Sequence, residues 1–215
     1  MIESLAQLKS TGFAPRTVID VGVAYGTPPL YEAFPDAYFF LFEPVADFEP
    51  HIRETLQATI RGEYEMCGLG EADATTAIFI PDAAVGASLM HRGVDKNDPR
   101  LRSVPVRTLD GIFAQRKIEQ PVLLKTDCQG GDLAVIRGGR NFIAQCDVII
   151  MEVGMFRYWS QKTPDFADTI IEMKSQGFVP YDLFDYMPRP SDGALGQLDV
   201  VFVKEQGHFR KTHEW

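Results

Sequence analysis

The chain alternates short, continuous apolar runs with amphipathic stretches. Residues 17–21, 38–42, 121–127 and 147–153 are unbroken enough to read as buried strands. Residues 63–68 predict a third strand, ending at Cys67-Gly68, and 77–80 and 104–107 predict shorter ones. Residues 178–184 and 200–204 read as two final strands around a Pro/Gly-rich loop at 187–197. Between the strands lie helical patterns. Residues 3–11 carry Leu5, Ala6 and Leu8 and close at Gly12. Thr27 is placed to cap a short helix with Pro28 and Pro29 in its first turn, ended by Pro35. Residues 46–60 bring Phe48, Ile52, Leu56 and Ile60 to one face. Residues 109–116 and 133–138 predict two more helices, and a last one opens at Thr163 or Pro164 and runs to about Ser175, ended by Gly177.

Strands alternating with helices predict a parallel sheet with right-handed crossovers. The last two strands have no helix between them, so they are expected to pair antiparallel at one edge. The fold class expected is α/β: a Rossmann-like, seven-stranded, mostly parallel sheet with a C-terminal antiparallel hairpin and helices on both faces. With no internal repeat or linker, one domain is expected over residues 1–215, with a tail at 207–215. Residues 82–103 are polar with little periodicity and are read as a long loop, a candidate lid.

Composition narrows the partners. An apolar share of 45% over 215 residues suits one folded α/β core. A net charge of −9 and a pI near 4.9 argue against gripping nucleic acid by its phosphates. Arg92, Lys96, Arg100, Arg102 and Arg107 read as a solvated loop. Cys67, Cys128 and Cys146 form no CxxC pair, so neither zinc nor a disulfide framework is indicated, and a reducing compartment is expected. The first residues lack a signal-peptide pattern and no run reaches 18 apolar residues, so a cytoplasmic protein with no membrane partner is expected.

The chemistry gathers at strand ends. The 17–21 run leads into Gly22 and Gly26, where the chain can turn sharply and approach a ligand, and a helix follows whose N-terminus would favour an anionic group. Glu43 ends the second strand, 17 residues beyond Gly26, in position to accept from both hydroxyls of a ribose. Two cofactors fit: a dinucleotide, or S-adenosylmethionine. The dinucleotide fingerprint wants glycines where Ala24 and Thr27 stand. Asp20 is awkward beside a pyrophosphate and suits the ammonium of a methionine moiety, directly or through water.

The motif Val18-Ile19-Asp20-Val21-Gly22-x-x-x-Gly26 is followed by Phe42-Glu43-Pro44 and by Val106-x-Thr108-Leu109-Asp110. A fourth segment, Leu124-Lys125-x-Asp127-x-x-Gly130-x-Asp132-Leu133, completes the order. Over about residues 17–153 the chain resembles the FkbM family of methyltransferases. The resemblance implies a class I, S-adenosylmethionine-dependent O-methyltransferase, with Asp20, Gly22, Gly26 and Glu43 as cofactor residues. It also implies that Cys67-Gly68-Leu69 lies by the adenine and Ser88 in a loop near the cofactor. The chain departs from the family at Gln129, where a Glu is common and where an amide can serve neither as base nor as anionic ligand.

Methyl transfer from an activated donor asks the protein mainly to align a nucleophile. Asp127, at the end of its strand, is the first candidate to bind the acceptor or take its proton, although Asp there is also a preferred helix cap. Glu152 ends the next strand and is expected at the same cleft. His91 is a candidate base from the loop, and Tyr158 and Trp159 are candidate walls of an acceptor pocket. Asp127 and Glu152 could alternatively hold a divalent cation, though no metal is expected. The acceptor class expected is a small molecule or sugar. Competing readings are a nicotinamide-dependent oxidoreductase and, because of Gln129, a non-catalytic binding module.

Overall fold

The computed structural model describes residues 1–214 apart from 83, 85, 91–93, 159 and 162. In chain order the elements are α1 (Ile2–Ser10), β1 (Thr17–Val21), α2 (Pro28–Ala33), β2 (Tyr38–Phe42), α3 (Glu49–Ala58) and β3 (Arg61–Glu65). Then come β4 (Gly68–Leu69), β5 (Ala74–Phe79), β6 (Leu101–Arg107), α4 (Leu109–Phe113), β7 (Val122–Thr126), α5 (Asp132–Arg137) and α6 (Arg140–Ile143). The chain closes with β8 (Val148–Gly154), α7 (Phe166–Ser175), β9 (Phe178–Pro188) and β10 (Leu195–Lys204).

Seven strands form one sheet in the order β3-β2-β1-β7-β8-β10-β9. Neighbours are parallel except at β10, which runs antiparallel to both β8 and β9. The expected fold class and edge hairpin are therefore observed. β1 sits between β2 and β7, and Asp20 lies opposite Leu41 on one side and Lys125 on the other. The strand order reverses here, which is where open α/β sheets bind ligands.

Every residue of β1 and β7 is buried, as parallel strands covered on both faces require. On one face Val18, Phe39, Leu41 and Leu123 pack with Leu5, Leu8, Leu30 and Ile52. On the other Ile19, Val21, Phe42 and Leu124 pack with Leu133, Ile136 and Phe142. Phe113 and Phe142 stack there at 4.6 Å. No helix among the described residues is long and apolar enough to cross a membrane.

Several boundaries differ from those read in the sequence. The single strand expected over 63–68 is split: β3 ends at Glu65, the Cys67 amide turns back onto the Glu65 carbonyl (3.0 Å), and Gly68–Leu69 joins a separate three-stranded sheet, β4-β6-β5. That sheet takes in the two weak strands, and β6 starts at Leu101, inside the stretch read as loop. The last helix opens at Phe166 rather than at Thr163 or Pro164, because Asp165 and Asp168 exchange side chain-to-backbone hydrogen bonds in a capping box. An unexpected helix, α6, is held by Asp110, whose carboxylate accepts from the amides of Asn141 (3.1 Å) and Phe142 (2.8 Å). Within 207–215, a 3-10 turn at His208–Arg210 puts Phe209 against Phe13 and Tyr181.

Candidate functional site

At the end of β1, Gly22 has φ +77°, and a Cβ there would lie 2.0 Å from the Asp127 carbonyl oxygen. Only glycine lets the turn after β1 pass so close to the end of β7. The Gly22 and Val23 amides donate to the Phe42 carbonyl (2.9 and 3.4 Å), tying the turn to the end of β2. Glu43 completes that tie: its carboxylate accepts from the Ala24 amide (2.9 Å) and the Val45 amide (2.8 Å). Burial raises the pKa of Glu43, and these two amides oppose the rise.

The helix after the turn does not supply the anion site expected of it. Pro28 and Pro29 occupy its first two positions, so two N–H groups are missing, and Thr27 makes no side-chain cap bond. The Gly26 amide, at a residue with φ +106°, donates to the Val23 carbonyl (2.7 Å).

Two cavities open at this edge of the sheet. The first is an apolar slot of about 120 Å³ between Val21, Phe42, Pro44, Cys67, Gly68, Leu69 and Leu89, with Glu43 at its wall. Burial pushes the Cys67 thiol up to about 12, so it stays neutral. Ser88 is buried and is not among the residues that line the slot. Its hydroxyl donates to the Gln129 carbonyl (2.8 Å) and accepts from the Met90 amide (2.9 Å), so it pins the loop that carries Leu89.

The second cavity, about 430 Å³, is lined by the Gly22–Pro29 turn together with Lys125, Asp127, Glu152, Gln197 and Asp199. Gly22, Ala24 and Asp127 border both cavities. Asp127 does not cap α5. The Cys128 amide is taken by Asp132 (3.2 Å), and the Asp127 carboxylate instead meets the Lys125 ammonium (3.4 Å) and the Gln129 amide (3.2 Å). Gln129, at φ +48°, reaches with the same Nε2 to Glu152 Oε1 (3.2 Å), and Gln197 Nε2 donates to the other Glu152 oxygen (2.8 Å). The residue that departs from the family pattern thus bridges the two candidate catalytic carboxylates. Burial, and then the Asp127, Asp132 and Asp199 charges, hold Glu152 well above the usual carboxylate range. Burial also pushes Asp199 up to about 6.

Asp20 borders neither cavity. It is fully buried, accepts from the Tyr31 hydroxyl (3.0 Å) and lies 3.7 Å from the Lys125 ammonium. Tyr31, Gln197 and Asp199 have no signal in the sequence, and Lys125 stands there as part of the family motif without a role of its own. The readable signal was Lys125, a charge inside an otherwise apolar strand. Tyr158 lines a small recess beyond Glu152 with Phe156. His91 and Trp159 lie outside the described residues. Among the described residues no group of three or more His, Cys, Asp or Glu could hold a metal ion.

The methyltransferase FkbM domain model matches residues 20–180, from the middle of β1 into β9. The chain belongs to the FkbM methyltransferase domain family. No curated protein matches this FkbM chain significantly. Among solved structures it is similar to magnesium protoporphyrin IX methyltransferase from Synechocystis PCC 6803 with bound SAM. That match has a TM-score of 0.53 at 12% identity, covering 94% of this chain and 77% of the other. It is also similar to the N-methyltransferase NodS from Bradyrhizobium japonicum WM9 (TM-score 0.51, 7% identity, 94% and 93% covered). A third is the 1,6-didemethyltoxoflavin-N1-methyltransferase from Burkholderia thailandensis (TM-score 0.50, 16% identity, 94% and 76% covered). At these identities the likeness is one of fold.

Proposed function

We propose that the protein is an S-adenosylmethionine-dependent O-methyltransferase acting on a hydroxyl of a small molecule or sugar, folded as one domain. The observation that carries this reading is the shared border of the two cavities, where Asp127 stands between an apolar slot and a wider cleft whose lining includes Lys125, Glu152 and Asp199. The slot suits an adenine between Phe42, Pro44, Gly68 and Leu69, with Cys67 neutral beneath it. Glu43 is positioned by two amides and has lone pairs left for ribose hydroxyls. The cofactor, when bound, supplies an electrophilic methyl group on a sulfonium. The protein's part is to seat the acceptor in the wider cleft, with Asp127 accepting its hydroxyl proton and Glu152 held beside it through Gln129. The nicotinamide alternative loses its main support, because a helix that begins Pro28-Pro29 offers little to a pyrophosphate. Three free cysteines and a net charge of −9 are in keeping with a cytoplasmic enzyme that handles small acceptors rather than nucleic acid.

Titration calorimetry with S-adenosylhomocysteine tests the cofactor half. Micromolar binding is expected, weakened ~10-fold or more in Glu43→Gln, which keeps one backbone-accepting oxygen but loses the charge. Absence of binding to the wild type would reject the methyltransferase reading. Asp127→Asn tests the catalytic half: turnover on a hydroxylated acceptor is expected to fall ~100-fold or more. Binding of S-adenosylhomocysteine should stay within ~3-fold of the wild type. Unchanged turnover would remove Asp127 from the chemistry.

A further inference from the structure

The methionine end of the proposed cofactor carries a carboxylate, and the turn after β1 has little to offer it. The Gly22, Val23, Ala24 and Gly26 amides are already donated within the protein and Pro28 and Pro29 have none, which leaves the uncharged Tyr25 and Thr27 amides. The remaining described lining of the cleft is acidic or apolar, apart from Gln197, the Tyr25 and Thr27 side chains and two cationic groups. One is the Met1 ammonium, which pairs with Asp185 (3.3 Å). The other is Lys125.

Lys125 sits on β7 directly opposite Asp20 of β1, is 5% exposed and lines the cleft. It makes one hydrogen bond, to Asp127 at 3.4 Å. Asp20 stands at 3.7 Å, beyond hydrogen-bond range, and its Oδ1 has no hydrogen-bond partner. An ammonium has three donors, so Lys125 retains N–H groups for a ligand. Burial alone would push its proton off, but the Asp20, Asp127 and Asp199 charges more than offset this and keep it cationic. Asp20, in turn, is fixed by Tyr31 and cannot reach the cleft itself.

We propose that Lys125 binds the carboxylate of the methionine moiety, and that Asp20 is a positioning residue that holds Lys125 rather than a direct ligand of the cofactor's ammonium. This rests on the methyltransferase reading above. It makes Lys125 the residue by which the site tells an amino-acid-bearing adenosyl ligand from one that lacks the carboxylate.

The test compares S-adenosylhomocysteine with its decarboxylated analogue, 5′-S-(3-aminopropyl)-5′-thioadenosine, by calorimetry. The wild type is expected to bind the carboxylated ligand at least ~10-fold more tightly. In Lys125→Met the two affinities should converge to within ~2-fold, with the loss confined to the carboxylated ligand. Because Lys125→Met strands the buried Asp20 charge, the double variant Asp20→Asn/Lys125→Met serves as the fold-preserving version and should show the same convergence. A wild type that binds both ligands equally overturns the proposal without touching the cofactor assignment, as does a variant that keeps the wild-type preference. A wild type that binds neither ligand overturns the methyltransferase reading and this inference with it.

Discussion

Asp132 shows how the surroundings of one carboxylate set a measurable property. It opens α5, spends one oxygen on the Cys128 amide, and its other oxygen has no hydrogen-bond partner. Burial, reinforced by the Asp127 charge, pushes its pKa up to about 6. A carboxyl whose pKa is higher folded than unfolded binds its proton more tightly when folded. Its contribution to stability is therefore greatest below the unfolded value, about 4, and is lost as pH rises through about 6. In Asp132→Asn, stability from urea melts should fall less than in the wild type between pH 4 and 6, the two curves diverging by on the order of 2 kcal/mol. Parallel curves would show that Asp132 titrates normally. The elevated pKa is not legible in the sequence, where Asp132 is only one position of the family motif. Gln129 was legible as a departure, but its bridge between Asp127 and Glu152 depends on a left-handed backbone no pattern announces.

The strands that build the site were the most readable elements, for a physical reason. β1, β2, β7 and β8 are covered on both faces, so their residues form continuous apolar runs that stand out from any helix or loop. The β4-β6-β5 sheet reads only as fragments, because half of β5 is exposed and β4 is two residues long. α6 gives no signal in the sequence, because four residues carry no period and its amides are held by Asp110 in another helix. Asp110→Ala removes acceptors from both the Asn141 and Phe142 amides, and a loss of ~1–2 kcal/mol in chemical denaturation is expected. Phe142, packed under Phe113, transmits that loosening to the core face below β1 and β7. An unchanged denaturation midpoint would mean that α6 is held by its apolar contacts alone.

Across the whole molecule, topology does what motif spacing only implied. The β2-β1-β7 arrangement brings Gly22, Glu43 and Asp127 to one edge although more than eighty residues separate the last two in sequence. Gly22, Gly26, Glu43, Gly68 and Asp127 could be placed at this edge from the sequence because each sits at a strand end or turn, where residue type is restricted. Asp20 was found for its position, yet its carboxylate faces inward onto Tyr31 and Lys125, an orientation set by the pleat of β1 and the packing of α2. Ser88 likewise supports the slot from behind by fixing Leu89.

Glu43 holds Ala24 and Val45 in register with no ligand needed to draw them together. The carboxylate proposed to read a ribose is therefore also a staple of the fold. Selection on stability alone would preserve it, so a descendant that had stopped catalysing anything would still carry this glutamate. Its presence in a related sequence testifies to a shared ancestor's architecture, and on the role proposed for Asp127, evidence that such a relative is still an enzyme has to come from that side of the cleft.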